Sequence, residues 1–135
     1  MKAWMLGLIS LLPMSNVAHA NRVALLGSVQ LEDQRDYERI YLPPCDQSPN
    51  NRIDYIQFSV SNYPVHISAV NLTFGNGETH NLNVNGVFYP REATRWFNLD
   101  RGTRERCVRM IEVWGRARIP GDYSRQKAGI HFYGY

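Results

Sequence analysis

Lysine occurs twice in this 135-residue chain, at Lys2 and Lys127, and cysteine twice, at Cys45 and Cys107. Without a C-x-x-C pair, a dithiol redox site has no motif to rest on. The apolar run Ala3 to Leu12 has ten residues, where a bilayer-spanning helix needs about twenty, so a membrane anchor is disfavoured. No segment keeps an apolar repeat of 3.6 residues through three turns, which argues against long helices. Gly-x-Ser-x-Gly, Ser-x-x-Lys and the glycine patterns that cradle phosphates are missing, so nucleophilic and nucleotide chemistry have no local signature. Neither an internal repeat nor a low-complexity linker divides the chain. With 44% hydrophobic and 20% charged residues, the composition is that of one small globular domain. The formal net charge of +3 is too mild to argue for a nucleic-acid partner.

The first twenty residues have the order of a secretory leader. Met1 and Lys2 are a short positive start, Ala3 to Leu12 an apolar run, and Ala18-His19-Ala20 a small-x-small cleavage site. Cleavage after Ala20 would leave a single β-sandwich domain over 21–135, periplasmic or secreted, with no membrane span. No cysteine stands at the junction to carry a lipid. Of the 15 basic residues only Lys2 goes with the leader, and thirteen of those remaining are arginine. Guanidinium forks suit carboxylates and phosphates, but they also serve ordinary cross-strand ion pairs on a sheet surface.

In an oxidising compartment Cys45 and Cys107 read first as a disulfide. Closing a loop of 62 residues would stabilise the fold by roughly 4 kcal/mol in the chain-entropy model. The bridge would be structural.

About eight short runs rich in β-branched and aromatic residues read as strands: Val23 to Leu31, Glu38 to Leu42, Ile53 to Ser61, Val65 to Phe74, Glu78 to Val84, Thr94 to Leu99, Cys107 to Trp114 and Ala128 to Tyr135. Turn formers stand between them, among them Pro43-Pro44, Gly75-Asn76-Gly77 and Asn85-Gly86. The clearest unit is a hairpin from Val65 to Val84 around Gly-Asn-Gly. In Cys107 to Trp114 both faces carry apolar residues, Val108, Met110 and Trp114 on one and Ile111 and Val113 on the other, which predicts a central strand. Eight antiparallel strands without helices predict an all-β antiparallel sandwich of jelly-roll or Greek-key type, or a small closed barrel.

Candidate chemistry is sparse. If Phe74 pairs with Glu78, then His80 lies opposite Leu72 and His66 is six residues further, roughly 20 Å away, so the two cannot share a zinc. Nothing local places His131. The acidic stretch Glu32 to Glu38 lacks the order of a calcium loop, and Arg35 and Arg39 would compete as ion-pair partners. Asp54, Glu78, Glu92, Glu112 and Asp122 are available for a carboxylate-dependent hydrolase, without a spacing that selects any pair. The most distinctive feature is an arginine cluster, Arg101, Arg104, Arg106, Arg109, Arg116 and Arg118, preceded by Arg91, Arg95 and Trp96. Its bland reading is a charged sheet face on which Arg109 and Glu112 point outward into ion pairs. Its functional reading is a patch for an anionic envelope polymer or an acidic protein. Exposed tyrosines could stack on sugars.

The segments Leu25-Leu26-Gly27, Leu42-Pro43-Pro44-Cys45, Ile53 to Phe58, Thr94 to Leu99 and Arg106-Cys107-Val108, followed by Ile111 and Gly115, resemble the YaaI-like family of small exported bacterial proteins. That family is of unknown function. The resemblance implies a periplasmic β-protein and transfers no catalytic residue.

The expectation is therefore an exported, non-enzymatic sandwich without metal or cofactor. Its favoured surface comprises Arg101, Arg104, Arg106, Arg116 and Arg118. Two alternatives from other classes remain: a hydrolase inhibitor presenting Arg101-Gly102-Thr103-Arg104, and a hydrolase using two carboxylates.

Overall fold

The computed structural model describes residues 23–47, 51–99, 107–121 and 126–135. The expected leader with its expected cleavage site, Arg101, Arg104, Arg106 and Asp122 lie outside these residues. Nine strands are formed among the described residues: β1 (Ala24–Leu31), β2 (Asp36–Tyr41), β3 (Tyr55–Ser61), β4 (Val65–Phe74), β5 (Thr79–Asn81), β6 (Gly86–Phe88), β7 (Phe97–Asn98), β8 (Val108–Ala117) and β9 (Ala128–Gly134). They make two antiparallel sheets. Sheet A has the order β1-β9-β3-β7, and sheet B the order β2-β8-β4-β5, with β6 also paired to β4. The expected all-β sandwich is the observed one. No helix among the described residues is long and apolar enough to cross a membrane.

Alternation creates the two inner faces. In β3, Ile56, Phe58 and Val60 are buried while Tyr55, Gln57 and Ser59 stand on the opposite face. In β4, Val65, Ile67, Val70, Leu72 and Phe74 are buried. These side chains meet Ile111, Val113, Ile130 and Phe132 in one continuous core. Phe58 lies 5.4 Å from Phe132 and 5.1 Å from Phe88, centroid to centroid.

The β4–β5 hairpin has the predicted register, with Phe74 N donating to Glu78 O and Leu72 opposite His80. Gly77 supplies the positive φ, at 90°. Past Asn81 the expected strand Glu78 to Val84 breaks. Asn83 adopts φ 58° and its N–H bonds back to Asn81 Oδ1 at 2.6 Å. The chain then returns to the same edge of β4 as β6, so Asn85-Gly86 leads into a strand instead of turning the chain away. The ladder expected over Thr94 to Leu99 shrinks to Phe97–Asn98. Before it, Thr94 holds Phe58 in two hydrogen bonds, one from its backbone N–H and one to its hydroxyl.

β8 is central, between β2 and β4. A bulge modifies its predicted faces. Thr73 pairs with Met110 and Phe74 with Val108, which leaves Arg109 as the extra residue. Val108 therefore turns inward with Ile111 and Val113, leaving Met110 and Trp114 on the outer side.

Cys45 and Cys107 are bridged, with Cα atoms 5.7 Å apart. The bond joins the segment after β2 to the residue before β8, two neighbouring strands of sheet B. It is compatible with an extracytoplasmic location. Gly75 packs on it: a Cβ there would stand 2.5 Å from Cys45 Sγ, and Gly75 N donates to Cys107 O.

Candidate anion-binding site

A second bulge shapes the outer face of sheet B. Ile67 pairs with Gly115 and Ala69 with Trp114, so Ser68 is the extra residue of β4 and its hydroxyl donates to Trp114 O at 3.1 Å. Opposite it, Gly115 approaches β4 so closely that a Cβ would lie 2.5 Å from His66 O. Only glycine permits this approach without a shift of backbone. Beside this close approach lies a pocket of about 430 Å³ lined by Arg35, His66, Ser68, Gly115, Arg116 and Arg118. Arg35 stands immediately before β2, whose Asp36 pairs with Gly115. Three guanidinium groups thus come from two parts of the chain more than eighty residues apart in sequence.

Arg35, Arg116 and Arg118 are exposed, and none forms an ion pair among the described residues. No carboxylate is among the described lining residues. His66 lies opposite Arg116 in the ladder. Such a site offers charge-assisted hydrogen bonds to a carboxylate or phosphate, with Ser68 and the imidazole as further polar groups. A second depression, about 600 Å³, shares Arg116 and Arg118 and is otherwise lined by Tyr63, Pro64, Tyr89, Ile119 and Pro120.

Along the same face, Tyr37, Arg39 and Tyr41 of β2 alternate outward. Tyr37 and Trp114 rings are 4.9 Å apart, and the Arg39 guanidinium lies 5.8 Å from the Tyr37 ring and 5.4 Å from that of Tyr41. The Tyr37 hydroxyl donates to Glu112 at 2.5 Å, and this hydrogen bond to the carboxylate holds the phenol pKa above its ordinary value. Asn71 Nδ2 reaches the other oxygen of Glu112 at 3.4 Å. The ion pairs expected for Arg109 and Glu112 do not form among the described residues: Arg109 Nε donates to Leu42 O, as its place in the bulge directs, and Glu112 is held by Tyr37 and Asn71.

The remaining candidates are dispersed. His80 borders a pocket of about 390 Å³ with Asn81, Asn83 and Arg95, apart from His66 at the far end of β4. His131 belongs to sheet A, its Nδ1 2.7 Å from Ser28 Oγ and its Nε2 2.9 Å from Ser61 Oγ. Among the described residues no three His, Cys, Asp or Glu side chains could hold a metal together. In the acidic stretch, Asp36 accepts from Glu32 N and Tyr37 N, and Glu32 meets Lys127 at 4.0 Å. Glu38, on the inward side of β2, has its pKa raised by burial and then by the charge of Asp36. Glu112 sits on β8 and Glu78 in the hairpin turn, while Asp54 and Glu92 lie outside the strands. Among the described residues no carboxylate lines any of these three pockets.

The predicted cluster is therefore divided. Arg116 and Arg118 stand in the pocket, and Arg101, Arg104 and Arg106 lie outside the described residues, as does the inhibitor loop built on the first two. Arg35 had no place in the predicted surface, because only the pairing of β2 with β8 brings it there.

The model of a domain of unknown function, DUF2541, matches residues 5–134. The chain belongs to this family. The match agrees with the sequence's likeness to a family without assigned function. No curated protein matches the chain. Among solved structures, a chain of Pseudomonas aeruginosa AlgX is similar at 12% identity and a TM-score of 0.43, over 87% of this chain and 27% of its own length. This chain thus spans about a quarter of that protein, and a likeness of this degree carries no argument here.

Proposed function

We propose that this DUF2541 protein is an exported, non-enzymatic binding domain that takes an anionic group between Arg35, Arg116 and Arg118. One observation carries the reading: three exposed guanidinium groups converge on a pocket without a described carboxylate partner. What sets these arginines apart is their convergence: Arg116 and Arg118 of one strand end and Arg35 of another line a single pocket in which no described residue is a carboxylate. The leader-like start and the disulfide support an address outside the cytoplasm, in keeping with the YaaI-like likeness. An envelope polymer or an acidic protein fits that address better than nucleic acid does.

Titration with inorganic polyphosphate tests the reading at two salt concentrations. Binding should weaken as salt rises, through screening, and should fall at least about tenfold in Arg35→Ala/Arg116→Ala. Equal binding by the variant and the wild type would refute the site.

A further inference from the structure

The pocket is one station on a longer line. Along the outer face of sheet B, cations and rings are interspersed: Tyr41, Arg39, the Tyr37–Trp114 pair, then Arg35 with Arg116, then Arg118 with Tyr89 level with it across β4. Tyr37 lies opposite Trp114 in the ladder, four residues from Tyr41 on β2, while Arg118 lies four residues beyond Trp114. At about 3.3 Å per residue the stretch from Tyr41 to Arg118 is roughly 26 Å long. Tyr41 is 67% exposed and Tyr89 52%, so both ends present open rings. Among the described residues of this line, four arginines accompany one carboxylate, Glu112, which is engaged by Tyr37 and Asn71.

We infer that this face is a binding track for a linear acidic polysaccharide, with anionic groups on the arginines and sugar rings against the tyrosines and Trp114. The inference rests on the anion-binding reading above and extends it from one group to a repeating chain. The interspersion of the two kinds of side chain is the reason. A compact anion uses the pocket alone and has no need of Tyr41, whereas a polymer bearing a charge on each ring meets both kinds of side chain in turn. Single-stranded nucleic acid also combines phosphates with stackable rings. The disulfide between Cys45 and Cys107 favours the polysaccharide, because it belongs to an oxidising compartment.

The experiment compares four probes on the full protein: polygalacturonate, the same polymer with its carboxyl groups reduced to alcohols, a single-stranded oligonucleotide, and inorganic polyphosphate. Polygalacturonate should bind more tightly than its reduced form and the oligonucleotide. Tyr41→Ala and Tyr89→Ala, at opposite ends, should each weaken polygalacturonate binding by about three- to tenfold, with polyphosphate binding and melting temperature unchanged. Polyphosphate binding with polygalacturonate insensitive to both tyrosines would overturn the track and leave the anion site standing. Tighter binding of the oligonucleotide would overturn it in favour of nucleic acid. No binding of any anionic probe would remove both.

Discussion

The two sheets of this sandwich divide polarity between them. The strands of sheet A, β1, β3, β7 and β9, contain no Asp, Glu, Lys or Arg. Those of sheet B contain Asp36, Glu38, Arg39, Arg109, Glu112 and Arg116. On the outer side of sheet A, polar groups satisfy one another: His131 between Ser28 and Ser61, Gln57 Nε2 to Thr94 O, Tyr55 stacked on Tyr135, and Trp96 edge-on to Tyr135. On sheet B, Arg116 and its neighbours Arg35 and Arg118 have no described carboxylate partner. A face whose groups are mutually satisfied contributes to stability. One that leaves guanidinium groups without partners is disposed to meet something else.

Four experiments test this contrast. Cys107→Ser should cost the most, about 4 kcal/mol by chemical denaturation, since the lost bridge closes a 62-residue separation. Because the bridge joins the exit of β2 to the entry of β8, hydrogen exchange should accelerate in sheet B before sheet A. Uniform acceleration would show that the two sheets open as one unit. Gly115→Ala should destabilise by about 1–3 kcal/mol, as its Cβ meets His66 O and Ile67, and should weaken polyphosphate binding by displacing the bulge.

The third experiment exchanges the faces. Ser61→Ala should lower stability by about 1 kcal/mol and leave polyphosphate binding intact, while Arg116→Ala/Arg118→Ala should do the reverse. A binding defect in Ser61→Ala would erase the distinction. The smallest effect concerns Glu38. Its folded pKa is raised above 4.5, so its favourable contribution is complete below that value and is lost as pH rises through the folded one. Glu38→Gln should therefore melt slightly higher than wild type at pH 7 and equally near pH 3.

Much of sheet A and of the hairpin was legible beforehand because alternation is a local property. Ile56, Phe58 and Val60 declare an inward face without reference to any other strand, and Gly75-Asn76-Gly77 sets the register of its own hairpin. The interruption at Asn83 was not legible, since Leu82 and Val84 keep alternating through it. Nor were the bulges. One inserted residue at Arg109 reverses the parity of Val108, and nothing within Cys-Val-Arg-Met marks which residue is extra.

The site divides along the same line. Abundant arginine, two cysteines in position to bridge and an all-β architecture follow from residue order, because composition, periodicity and turn chemistry act over a few neighbours. The pocket does not. Arg35, His66 and Arg116 meet through the β2–β8 and β4–β8 ladders, and their pairing depends on which side chains fill the core between the sheets. Long-range packing alone chose those partners, and with them the face on which the arginines gather.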